Sequence, residues 1–129
     1  MNIGQAAAAS GLSSKMIRHY ESIGLLAACE RSDSGYRQYN NTQVHQLRFI
    51  RRARDLGFSL EQIRELLSLW QNRSRASSDV KQVALQHIAE LNQRITELTG
   101  MRNTLQTLAD ACCGNNQPAC PILEELQHS

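Results

Sequence analysis

Apolar positions recur at helical spacing along most of the chain, and the period changes clearly at one internal stretch. Ile3 to Ser10 is an Ala-rich helix former. Gly11-Leu12-Ser13 then supplies a turn, with Ser13 placed to cap a second helix running to about Ser22. On that second helix Ile17 and Tyr20 share one side, while Lys15, Arg18 and His19 project elsewhere, as a groove-facing helix requires. The pair reads as helix-turn-helix, although an ordinary amphipathic helical pair leaves the same trace. From Arg31 to Tyr39 the period changes: Ser32-Asp33-Ser34-Gly35 is turn chemistry, and Tyr36 and Tyr39 flank Arg37 in a short extended segment. This predicts a hairpin, or wing, that brings Arg31, Tyr36 and Arg37 to one edge where they could hydrogen-bond phosphates. A solvated loop is the alternative.

Helical spacing then returns. Thr42 is read as the cap of a helix through Leu56, closed by Gly57, and Ser59 with Gln62 has capping-box spacing for another through about Gln71. Leu47, Ile50 and Ala53 on the first, and Leu60, Ile63, Leu66, Leu67 and Trp70 on the second, are the expected core. Arg48, Arg51, Arg52 and Arg54 form a dense basic run, of which one or two at most are assigned to phosphate contacts. After a polar hinge from Gln71 to Ala76, Ser77 or Ser78 caps a helix to about Ala111. On it Ala84, Ile88, Leu91, Ile95, Leu98, Leu105 and Cys112 follow the spacing of a coiled-coil seam, with Met101 and Leu108 taking over where Arg102 interrupts it. A helix of roughly 34 residues is about 50 Å long, too long for its own small domain to cover. An antiparallel pairing with the same helix of a second protomer is the economical solution.

Composition sharpens this division. The apolar content of 41% suits one domain, or one domain with a helical extension. Residues 1–75 carry 11 Lys/Arg against 6 Asp/Glu, net +5, and residues 76–129 carry 3 against 6, net −3. A basic front half suits a nucleic-acid-binding module followed by a segment with another task. The opening MNIGQAAAAS lacks the basic and apolar regions of a signal peptide, and no apolar run is long enough for a membrane span, so a cytosolic location is expected. No Ser/His/Asp set, paired carboxylates or phosphate-binding glycine loop points to an enzyme.

In a reducing compartment three cysteines within nine residues, Cys112, Cys113 and Cys120, read first as ligands or redox groups. The loop CCGNNQPACP is followed by one or two helical turns from Ile122 to Leu126, with Pro121 at the first position. A closed zinc site generally needs four ligands, whereas two separated thiolates suit linear coordination of a soft monovalent d¹⁰ ion. Cys113 is either a small apolar residue or a third sulfur, and a vicinal Cys112–Cys113 redox pair is a further alternative. Cys29 reads as a packing residue.

The blocks MNIGQAAAASGLSSKMIRHYESIGLL, RSDSGYRQY, RFIRRARDLGFSLEQI, SSDVK and CCGNNQPACPI, in that order, resemble the MerR family of metal-responsive regulators, in its copper- and gold-responsive branch. The resemblance implies a mainly α fold: a winged helix-turn-helix DNA-binding domain (residues 1–70), a hinge and long antiparallel coiled-coil dimerisation helix (71–111), and a metal-binding loop with a C-terminal helical turn (112–129). It implies a homodimer on double-stranded promoter DNA, which activates RNA polymerase through the shared promoter by distorting that DNA when Cu(I), Au(I) or Ag(I) binds, one ion per protomer. By position, Ser13, Lys15, Arg18 and Tyr20 match the recognition-helix contacts, Arg31, Tyr36, Arg37 and Tyr39 the wing, and Cys112 and Cys120 the metal thiolates. Ser77 falls where divalent-ion sensors of the family carry a cysteine, which implies selectivity for a monovalent ion. A copper storage or delivery protein is the rival class, but it leaves the wing unexplained.

Overall fold

Four helices in the first half of the chain each begin on a side chain that satisfies backbone N–H groups the helix cannot bond internally. The computed structural model describes residues 1–27, 30–33 and 35–128; the readings made for Cys29 and Ser34 lie outside the described residues. In chain order the elements are α1 (Ile3–Ser10), α2 (Ser14–Ser22), β1 (Glu30–Arg31), β2 (Arg37–Gln38), α3 (Asn41–Asp55), α4 (Leu60–Gln71), α5 (Ser77–Ala111) and α6 (Pro121–Gln127). Asn2 and Gln5 close a capping box on α1, Ser13 accepts from the Met16 N–H on α2, and Ser59 with Gln62 closes a box on α4. On α3 the box is made by Asn40 with Gln43, not by Thr42. The reciprocal bond requires Gln or Glu three residues beyond the cap, and Gln43 stands at that distance from Asn40.

The chain divides into two compact units, Met1–Val83 and Ala84–Ser129, and the division falls inside α5. In the first unit α1 packs on α2 and α3, and α3 on α4. Their inward residues, among them Ala6, Ile17, Tyr20, Leu47, Ile50 and Ile63, are fully buried. Gly11 leaves room for the Arg51 side chain of α3 beside the end of α1. Its φ of +77° ends α1 in the left-handed region, and a Cβ there would run into the Arg51 side chain.

The core stripe of α4 is narrower than its apolar sequence suggests. Ile63 and Leu67 are buried, but Leu60 and Trp70 are each 40% exposed. They lie at the two ends of a twelve-residue helix whose middle faces the core. Trp70 is instead covered on one face by Phe49, the rings stacked at 4.7 Å and 8°. Leu47 is at the centre of the packed set, with no exposed surface. Leu47→Ala is expected to cost about 2–5 kcal/mol, read as a lower urea midpoint at unchanged slope; a loss under about 1 kcal/mol would show that the site collapses freely around the cavity.

The hairpin is short. β1 and β2 pair antiparallel with Glu30 opposite Gln38 and Arg31 opposite Arg37. The turn is fixed by the Ser32 N–H donating to the Tyr36 carbonyl at 2.7 Å and the Gly35 N–H donating to the Ser32 carbonyl at 2.8 Å. In α5, Ser77 is the first helical residue and not the cap, because the Asp79 N–H already bonds to the Ala76 carbonyl at 3.1 Å. Along the second unit the apolar seam is open: Ile88, Ile95, Leu98, Met101 and Leu105 are each about half exposed or more. No helix among the described residues is long and apolar enough to cross a membrane.

Candidate nucleic-acid interface and thiol loop

The amphipathic division of α2 sorts its predicted contact residues into two groups. Ser13, Lys15, Arg18 and His19 are exposed, while Ile17 and Tyr20 are buried. Ser13 also caps the helix, so its hydroxyl is committed to the Met16 N–H at 3.1 Å. Tyr20 lies wholly within the core, where its hydroxyl accepts a hydrogen bond from Arg54 of α3. Its role in this structure is therefore to hold α2 against α3. The side division read from helical spacing predicts this burial, whereas the positional match to DNA contacts does not.

The wing shows the same partition. Tyr36 is 71% exposed and Arg31 is exposed, its guanidinium donating to the Gly35 carbonyl at 3.0 Å across the turn. Tyr39 is buried, and its hydroxyl donates to the Glu21 carboxylate on the last turn of α2. Arg37 is half-buried, with its Nε 3.6 Å from the other oxygen of Glu21. The structure thus brings Lys15, Arg18, Arg31 and Tyr36 to the surface and turns Tyr20 and Tyr39 inward.

Three side chains make contacts here that the sequence pattern does not signal. Glu21 links α2 to the wing. Arg54 reaches Tyr20, and Arg64 of α4 donates to the Ile23 and Gly24 carbonyls beyond the end of α2, at 2.9 and 3.4 Å. These partners stand 34 to 41 residues from the two arginines in sequence. The basic run on α3 is also largely occupied internally, since Arg48 donates to the Ala9 carbonyl at 2.9 Å and Arg51 pairs with Asp55 at 3.8 Å.

In the second unit α5 stops at Ala111, and the Cys112 N–H bonds to the Ala109 carbonyl. Gly114 turns the chain with φ +65°, and Asn115 accepts from the Gln117 N–H at 2.9 Å, a local turn that returns the backbone toward α6. Cys120 is the N-cap residue of α6, with Pro121 at the first helical position. Cys112 and Cys120 are half-buried and Cys113 is exposed. The Leu123 N–H, foremost, with the Ile122 N–H and the Cys112 thiol, holds the Cys120 thiol below its ordinary range, against the opposing effects of burial and Glu124. The Cys120 thiol is thereby biased toward the thiolate, the form that binds soft ions. Among the described residues no group of three or more His, Cys, Asp or Glu could hold a metal ion. Ser77 is exposed in the first unit, in a cleft lined also by Arg73, Arg75, Val80 and Lys81.

Comparison with known proteins places the chain among transcriptional regulators. A family model described as MerR HTH family regulatory protein matches residues 1–70, and one described as MerR, DNA binding matches residues 44–108. The heavy metal-dependent transcription regulator 2 of Rhizobium meliloti is 60% identical over 126 residues, covering 98% of this chain and 86% of that protein. The transcriptional regulator CueR of Escherichia coli O6:H1 is 45% identical, covering 98% of this chain and 93% of that protein. The crystal structure of the regulator PbrR691 from Ralstonia metallidurans, in complex with lead(II), superposes with a TM-score of 0.84 at 31% identity and 98% coverage of both chains.

Proposed function

The chain belongs to the MerR family of transcriptional regulators, and from that premise we propose that it activates transcription when a soft monovalent ion, Cu(I), Au(I) or Ag(I), binds Cys112 and Cys120. It is a metal-dependent, DNA-binding regulator, not an enzyme, and it acts on promoter DNA as a dimer and in concert with RNA polymerase. The observation that supports the ion assignment is that the thiols at the two ends of the loop, Cys112 and Cys120, are half-buried, while the third, Cys113, is exposed. A bound ion would supply two strong sulfur bonds joining the end of α5 to the start of α6.

The chain's own residues do the rest. Lys15 and Arg18 on α2 and Arg31 and Tyr36 on the wing present donors to the groove and to phosphates. Tyr20 and Tyr39 act from inside, by holding those elements in place. The open seam of α5 joins two protomers in antiparallel register and sets two α2 helices for two half-sites. A monovalent ion against two thiolates leaves a net charge of −1, whereas a divalent ion calls for a further anionic ligand. The side chain at position 77 is an uncharged hydroxyl, in keeping with the monovalent choice. A storage or delivery protein would have no use for a wing or a recognition helix.

In vitro transcription from the cognate promoter, titrated with Cu(I), Ag(I), Au(I), Zn(II) and Hg(II), tests the assignment. Activation by the monovalent ions alone is expected. Equal activation by Zn(II) and Cu(I) would overturn it.

A further inference from the structure

We propose that Glu21 is the positioning residue that fixes the wing arginine Arg37 relative to the recognition helix α2, an inference that rests on the DNA-binding reading above. Three observations converge on it. Glu21 lies in the last turn of α2, with a side chain only 11% exposed, so its carboxylate is largely removed from water. A buried carboxylate is stable only if both oxygens are compensated. One oxygen accepts the Tyr39 hydroxyl and the other faces the Arg37 Nε at 3.6 Å. Both partners come from the wing side, 18 and 16 residues further along the chain.

The hairpin register explains why such a clamp is needed. Arg31 and Arg37 stand directly opposite each other on the paired strands. Like charges in that position repel and weaken the pairing. Arg31 is steadied by the Gly35 carbonyl, within the hairpin itself. Arg37 is steadied from outside by Glu21, which at once offsets the repulsion and ties β2 to α2. The carboxylate faces the Nε of the guanidinium as an ion pair at 3.6 Å. Two DNA-contacting elements that the backbone joins only through the segment between Ser22 and Glu30 thereby keep one relative orientation.

The test is operator affinity across a range of salt concentrations, for the full-length wild type, Glu21→Gln, Arg37→Ala, the double variant and Tyr39→Phe. Glu21→Gln keeps the shape and an acceptor for Tyr39 but removes the charge that holds Arg37. It is expected to bind about tenfold more weakly, with a log–log salt slope shallower by about one phosphate contact. The double variant should bind no more weakly than Arg37→Ala alone, because both changes remove one interaction. Tyr39→Phe removes one support of the carboxylate but not the charge that faces Arg37, so it should weaken binding while shifting the slope less than Glu21→Gln does. A purely structural role lowers the melting temperature without moving the slope. A wild-type slope in Glu21→Gln, fully multiplicative losses in the double variant, or a slope change in Tyr39→Phe as large as that of Glu21→Gln would each overturn the proposal. A wild type that bound operator and random DNA equally would instead remove the DNA-binding reading on which it rests.

Discussion

Cys112→Ser and Cys120→Ser will each abolish metal-dependent transcription while operator affinity stays within about 0.5 kcal/mol of wild type, the range of surface substitutions remote from an interface. The reason is a separation of tasks. The contact residues of α2 and the wing belong to the unit Met1–Val83, and the thiols to the unit Ala84–Ser129. At position 120 the loss is chemical and not structural. Cys120 is the N-cap residue of α6, and serine is a preferred cap, so the substitution should preserve or strengthen the helix start. What disappears is the soft donor: a serine hydroxyl neither ionises near neutral pH nor suits a d¹⁰ ion. A two-coordinate site tolerates no such loss. Cys113→Ser distinguishes the coordination number, because an exposed third thiol outside the site predicts near-normal induction. Direct metal titration with transcription as readout checks all three variants; a Cys120→Ser protein that still responds to Cu(I) would exclude the two-thiolate site.

Much of the fold is legible in the sequence because its determinants are local. Asn2 with Gln5 and Ser59 with Gln62 act across three residues, and Gly11 and Gly114 mark turns that favour glycine. The errors also have local causes. Thr42 competes with Asn40 for the start of α3, and Ser77 with Ala76 for that of α5; in each case the neighbouring backbone bond decides, and the residue type alone does not. The candidate site is legible only in part. Exposure of Lys15 and Arg18 follows from helical spacing, because Ile17 and Tyr20 must face the core. Glu21, Arg54 and Arg64 could not be read in this way, since each acts on a partner brought near only by the tertiary fold. A glutamate on the last turn of a basic helix looks like a solvated charge until β2 is placed beside it. For the same reason Tyr20 and Tyr39, tempting as aromatic contacts near a groove, become supports for Arg54 and Glu21.

The double substitution Ile95→Glu with Leu98→Glu is expected to convert the dimer to monomers at micromolar concentration. Both side chains are about 60% exposed in the single chain, and neighbouring Ile88, Met101 and Leu105 are open as well. An apolar row of this length on one helix is a large unpartnered surface for a chain of 129 residues. Burying each such side chain against a partner is worth about 1.5–3 kcal/mol at most. Two changes per protomer remove four of them from a symmetric interface, a loss on the order of several kcal/mol and so roughly a thousandfold or more in the dimer constant. The glutamates add a desolvation cost on burial in an apolar seam. The monomer's first unit should still fold, because its core, from Ala6 to Leu67, does not include this seam. Sedimentation equilibrium should therefore show the monomer mass with near-native helicity, and operator binding should weaken sharply, since one protomer engages only one half-site. A variant that remained dimeric would move the interface off this seam and with it the antiparallel pairing of α5. If the variant were instead monomeric but still bound operator with wild-type affinity, a single protomer would suffice for recognition, and the two-half-site reading would have to be abandoned.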